Sequence, residues 1–95
     1  MRVEWDDDKA VRNLEKHGVS FGEATEVFYD PNALEDYDVE HSTDEARFLI
    51  IGLSSRRLLY VVYVERAGDL VRIISARKAN SAEQEIYERP RTINL

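Results

Sequence analysis

Residues Leu58 to Val64 read Leu-Leu-Tyr-Val-Val-Tyr-Val, apolar at odd and even positions alike. Successive side chains of a strand point to opposite faces. A strand here, running on to Arg66, is therefore apolar on both faces and needs cover on both, which places it in the middle of a sheet. Tyr60 and Tyr63 fall on opposite faces of it and read as core. The run is far shorter than the roughly twenty apolar residues of a membrane span.

The flanking segments supply the sheet partners. Glu45 to Leu53 reads as a strand joined to Leu58–Arg66 through Ser54-Ser55-Arg56-Arg57, and Gly68-Asp69 marks a second hairpin turn into Leu70–Lys78. Ala33 to Asp38 reads as a short further strand, Arg2 to Trp5 as a first one, and the acidic stretch from Glu35 to His41 as a loop or edge. Three helices are expected. Asp6 caps the first, Asp7 and Asp8 suit its positive end, and Lys16-His17-Gly18 closes it with a left-handed glycine. Ser20 and Glu23 have capping-box spacing for the second, with Val19 and Ala24 placed as a hydrophobic staple, and Asp30-Pro31 stops it. Asn80 or Ser81, with Glu83 or Gln84, caps a third that ends before Pro90.

Strands following helices indicate an α+β domain: an antiparallel sheet with the two N-terminal helices packed on one face and a C-terminal helix. Ninety-five residues make a single domain, 1–95, and 43% hydrophobic with 34% charged residues describes a soluble globular chain. There is no cysteine, hence no disulfide and no cysteine-based zinc site. The N-terminus does not resemble a signal peptide, so a cytoplasmic protein is expected. Residues 1–50 carry 5 Lys/Arg against 14 Asp/Glu, and residues 51–95 carry 8 against 5, so a half at −9 joins a half at +3 to give the net −6. Such a chain is a poor nonspecific binder of nucleic acid, yet its C-terminal half can present a local cationic face, and its acidic half can receive a basic partner.

Strong cofactor motifs are absent. No Gly-rich phosphate loop, no His-Glu-x-x-His and no Cys/His cluster occurs, so neither metal nor cofactor is expected. Charged residues on strands remain. Glu45 and Arg47 are two apart and share a face if their strand is regular. Regular alternation puts Arg77 on the face opposite Arg72 and Lys78, unless a bulge intervenes or Arg77 sits at a frayed end. Such groups suit metal-independent RNA cleavage, in which the 2′-hydroxyl attacks the adjacent phosphate. One group takes its proton, another protonates the leaving 5′-oxygen, and arginine forks stabilise the crowded phosphate. Each residue also has a structural reading: Arg72 as a salt-bridge partner, Arg77 and Lys78 as solvated strand-end cations, Glu45 and Arg47 as a cross-strand pair, His17 as a helix-end residue, Tyr87 as packing.

Two long stretches carry a family resemblance. "EWDDDKAVRNLEKHGVSFGEATEVFYDP" resembles the N-terminal signature of BrnT-family toxins, with its Asn-Leu-x-Lys-His-Gly-Val-x-Phe run. "DEARFLIIGLSSRRLLYVVYVERAGDLVRIISARKANSAEQEIYE" resembles the C-terminal one, in which Glu-x-Arg, Gly-x-Ser and Arg-Ile-Ile-Ser-Ala-Arg recur in order. The resemblance implies a RelE-like fold and a type II toxin: a metal-independent endoribonuclease that arrests translation. It implies a BrnA-type antitoxin as partner, RNA as substrate, and operator DNA bound only through the antitoxin. Carried onto this chain, it implies His41, Glu45, Arg47, Arg77 and Tyr87 as catalytic candidates and Arg56, Arg57, Arg72 and Lys78 as RNA-binding ones. Many members carry Arg-Gly-Arg in the hairpin where this chain has Arg56-Arg57, so a shorter turn is expected. The rival reading is a non-catalytic module that only docks the antitoxin. A small-molecule enzyme has no supporting signature.

Overall fold

The computed structural model describes residues 1–39 and 45–91. His41 lies outside the described residues. Strand β1 (Arg2–Glu4) leads into helix α1 (Asp7–His17), helix α2 (Phe21–Thr25) and a 3₁₀ turn (Glu26–Tyr29). Strands β2 (Leu34–Tyr37), β3 (Phe48–Leu53), β4 (Leu58–Arg66) and β5 (Leu70–Lys78) follow, and helix α3 (Ser81–Glu88) is the last element of the described residues. The sheet order is β1-β5-β4-β3-β2, with β4 in the middle as its two-sided apolar pattern requires. Among the described residues no helix is long and apolar enough to cross a membrane.

The fold class is α+β, with one departure from the expected sheet. β2 to β5 are antiparallel, but β1 pairs with β5 in parallel, Arg2 opposite Leu70 and Glu4 opposite Arg72, so the sheet is mixed. A three-residue strand at the edge carries too little pattern to reveal its direction. A second departure concerns β3, which begins at Phe48 rather than Glu45. Glu45 and Arg47 therefore precede the strand, and the argument that alternation aligns them does not apply.

Local chemistry explains the helices. Asp6 accepts a hydrogen bond from the Lys9 amide at 3.1 Å. Gly18 takes φ 68°, with its N–H on the Leu14 carbonyl, a conformation that costs a side-chain-bearing residue about 1–2 kcal/mol. Ser20 caps α2 through the Glu23 amide at 3.0 Å. The Glu23 carboxylate does not complete the box, because it turns to Arg57. At α3 both halves of the box form, between Asn80 and Glu83.

α1 and α2 lie against β5. The core joins Val19, Phe21 and Ala24 to Leu59, Val61, Tyr63, Ile73 and Ala76 on one face of the sheet. Each large apolar side chain buried there contributes about 1.5–3 kcal/mol. Trp5 packs edge-on against Phe21, ring centroids 6.1 Å apart. Asn13 joins α1 to β5: its Nδ2 donates to the Val19 and Ala76 carbonyls at 2.9 and 2.8 Å, and its Oδ1 accepts from the Ala76 N–H at 3.1 Å. The amide thus takes the place of a neighbouring strand where β1 has already ended.

The β4–β5 register contains a break. Val62 faces Ser75 but Tyr63 faces Ile73, so Ile74 has no opposite number. This bulge switches the alternation of β5. Val71 and Ile73 point into the core before it and Ala76 after it, which puts Arg72 and Arg77 on the same face, away from α1 and α2.

Candidate functional site

That second face is the candidate site. By register Ile51, Tyr60 and Arg77 form one row across β3, β4 and β5, Leu49, Val62 and Ser75 another, and Val64 sits beside Arg72. The floor is apolar and aromatic, with an arginine near each end.

The sequence candidates divide between those two ends. At one end of the sheet are Arg77 from β5, Tyr87 from α3 and Arg56 from the β3–β4 hairpin, while Lys78, opposite Leu59, and Arg57, bound to Glu23, lie on the α1–α2 side of that end. At the other are Arg72, Glu45 and Arg47, with Arg66 beside them. Arg77 pairs with Tyr60 and Arg72 with Val64, so about 13 Å of strand separates them at about 3.3 Å per residue. Glu45 is bonded to Arg66, about 20 Å along β4 from the Tyr60 row by the same measure. Arg77 and Glu45 therefore do not act on one phosphate.

At the Arg77 end, α3 supplies the partners. Arg77 Nη1 and Nη2 form a two-pronged pair with the Glu83 carboxylate, both at 2.8 Å. Its guanidinium lies 4.1 Å from the Tyr60 ring centroid, within cation–π range. The Glu83 hydrogen bonds strengthen the hold of Arg77 on its proton. Burial pushes the Glu83 carboxyl up, but the Arg77 guanidinium and the Asn80 N–H outweigh it and hold the group below its ordinary value. One helical turn on, the Tyr87 hydroxyl donates to Asp30 Oδ2 at 2.6 Å. Burial and the Asp30 carboxylate together push Tyr87 up to about 12, so it carries its proton at neutral pH. Burial raises Asp30 too, but the Tyr87 hydroxyl and the Leu53 and Asn32 amides bring it below its usual value. Glu83 and Tyr87 stand four residues apart on one side of α3, about 5–6 Å between β-carbons.

The hairpin cations have different roles. Arg57 binds Glu23 through Nε at 3.0 Å and Nη2 at 2.9 Å, and reaches the Gly18 carbonyl at 2.8 Å. This is a tie between the hairpin and the α1–α2 junction. Arg56 is 71% exposed, with Nη1 3.9 Å from Glu23. At the opposite end Arg72 pairs with Glu4 from β1. Arg47 is half-buried, and its carbonyl accepts the Asp38 N–H at 2.8 Å. Among the described residues no three His, Asp or Glu side chains converge as a metal site would require.

Glu23 has a pH signature. Hydrogen bonding from Arg57 is the largest influence on it, burial opposes, Ser54 adds to the lowering, and the net pKa is below its ordinary 4.5. A carboxylate lowered on folding stabilises the protein fully above its unfolded pKa and ceases to as pH falls through its folded pKa. Glu23→Gln is expected to cost about 2 kcal/mol at pH 7, with wild type and variant converging as pH drops below 4.5. Denaturant titrations across pH measure this, and a gap independent of pH would show that the charge on Glu23 is not what matters.

Three residues in these contacts had no functional reading in the sequence. Glu83 and Glu23 stood out only as capping residues and Asp30 only as a helix stop. The spacing of six between Arg77 and Glu83 was a usable signal. The 57 residues between Asp30 and Tyr87 left none.

No curated protein sequence matches the chain. Two solved chains resemble it in structure. One is the 1.1 Å crystal structure of the Brucella abortus ribonuclease toxin BrnT, at TM-score 0.66 and 21% identity, covering 85% of this chain and 99% of that one. That likeness is one of fold. The family model for the ribonuclease toxin BrnT of type II toxin–antitoxin systems matches residues 5–83, most of the sheet and both N-terminal helices. The chain belongs to the BrnT family of type II ribonuclease toxins.

Proposed function

We propose that this protein is a metal-independent endoribonuclease of RelE-like design. On this reading it arrests translation by cutting RNA, is neutralised by a BrnA-type antitoxin, and meets operator DNA only through that partner. Beside the family match, the observation that carries the reading is the row under α3: Arg77 over Tyr60, with Glu83 and Tyr87 one turn apart. RNA phosphate displaces Glu83 from Arg77 and takes both prongs of its fork. Glu83, without its cation, becomes a better base and accepts the 2′-hydroxyl proton. Tyr87, protonated, supplies the proton for the leaving 5′-oxygen. Arg56 is an exposed cation at the same end of the sheet, while Lys78, opposite Leu59, lies on the other face. Arg72 and Arg47 hold the neighbouring stretch of RNA rather than the reacting phosphate, and Glu45 keeps to Arg66.

The second reading, a non-catalytic module that docks the antitoxin, has one observation in its favour: Arg57, Arg66, Arg72 and Arg77 are each already paired with a carboxylate. Purified protein incubated with RNA, with and without EDTA, separates the two. The expected result is cleavage that EDTA leaves intact, together with growth arrest on expression that co-expressed antitoxin relieves. Cleavage that requires an added divalent ion removes the metal-independent mechanism. Folded protein that neither cuts RNA nor stops growth establishes the docking module.

A further inference from the structure

The unneutralised cations of the N-terminal half lie elsewhere. A groove of about 360 Å³ runs between α1 and the bulge of β5, lined by Lys9, Arg12, Lys16 and His17 on one side and Ile74 and Ser75 on the other. No carboxylate lines it. Among the described residues none of the three long cations has an ion pair, unlike the four arginines of the hairpin and sheet. Helical periodicity explains the separation. Lys9, Arg12 and Lys16 follow i, i+3, i+7 spacing, while Asp7, Asp8 and Glu15 flank Val11 on the other exposed side of α1. A half of the chain at −9 has thus sorted its charges so that one helix side is cationic.

We infer that this groove holds the phosphate backbone of a single-stranded RNA, a contact site apart from the sheet face where cleavage is proposed. The inference rests on the ribonuclease reading above. Lys9 to Lys16 spans about 10.5 Å of helix, so the three long, flexible cations can reach successive phosphates of one strand. Ile74 and Ser75, at the bulge of β5, form the wall opposite the cations. The groove also connects to the face. β1 covers β5 only from Leu70 to Arg72 and Asn13 meets the edge again at Ala76; between them no strand among the described residues covers the edge, and RNA can turn around it there from the α1 groove toward Arg72 and Arg77.

The test compares wild type with a Lys9→Ala/Arg12→Ala/Lys16→Ala variant. All three residues are exposed and make no ion pair, so melting curves of the two should coincide. The probe is a labelled 2′-O-methyl oligonucleotide that cannot be cleaved, titrated at several salt concentrations, with cleavage of ordinary RNA measured in parallel. Three lost phosphate contacts lower the slope of log affinity against log salt by about 2. The variant's KM for RNA rises about tenfold or more at low salt, with kcat within about twofold. If the wild type cleaves RNA but slope and KM are the same in the variant, the groove proposal fails and the ribonuclease reading stands. If the variant keeps RNA binding and loses affinity for the antitoxin, the groove is a protein site and the proposal is overturned. A wild type that neither binds nor cuts RNA overturns both.

Discussion

Arg77→Ala is expected to lower the rate of RNA cleavage about a hundredfold or more while the protein stays folded. The magnitude is that of removing one preorganised donor from a developing oxyanion, about 10²–10³ in rate, or about 2.7–4 kcal/mol of barrier. The stability cost is small by comparison. The Arg77 side chain is 36% exposed and Glu83 13%, so solvent screens the pair and about 1 kcal/mol is the expected loss. Arg77→Lys restores the charge but not the planar fork and should recover only part of the rate. Glu83→Gln should lower kcat and shift the acid limb of the pH–rate profile, which a purely structural Glu83 would leave in place. Single-turnover cleavage alongside thermal melts decides the matter. A rate loss that merely tracks unfolding makes Arg77 a structural residue. An unchanged rate moves the chemistry to the Arg72 end, where Arg72→Ala would then be the damaging change.

The second large effect is on stability. Asn13→Ala is expected to destabilise the fold by about 3–4 kcal/mol. Three hydrogen bonds end at its amide, all of them buried. Alanine leaves the Ala76 N–H without its acceptor and the Val19 and Ala76 carbonyls without their donor, each at about 1–3 kcal/mol, with partial relaxation keeping the sum near the lower end. For a chain of this size that corresponds to a fall in Tm of about 15–25 °C. Asn13→Asp does not rescue it, because a carboxylate supplies acceptors where two donors are needed. Melting by circular dichroism checks both variants, and a fall of only a few degrees for Asn13→Ala would mean that water replaces the amide.

These residues also show which parts of the molecule were legible in the chain. β4 and β5 begin and end where hydropathy and turn residues place them, because their patterns are long and their turns carry Gly68-Asp69 and Ser54-Ser55. Asp6 and Gly18 act at the helix ends as local chemistry dictates. Contacts between distant segments were not legible. The parallel pairing of β1 depends on β5, the direction of the Glu23 carboxylate on Arg57, and the side of the sheet on which Arg77 lies on an extra residue at Ile74. That bulge was foreseen as a condition, yet nothing in Arg-Ile-Ile-Ser-Ala-Arg locates it. The same holds for the site. Arg77, Lys78 and Tyr87 were identifiable as residue types near one strand end, but the distance from Glu45 depends on register, which a single chain does not display.

α3 has no buried residue of its own. Its hold on the rest of the fold is polar: Glu83 on Arg77, Tyr87 on Asp30, and, just past its end, Arg91 on the Asn32 carbonyl. Little apolar surface is lost when it lifts, so its opening free energy lies far below that of the sheet. In hydrogen-exchange terms the amides of Ser81–Glu88 are expected to open as a separate, fast unit while those of β4 and β5 wait for global unfolding. The helix that supplies the proposed base and acid is thus also one expected to detach before the sheet unfolds, and each detachment would free Arg77 from Glu83 on an otherwise intact sheet.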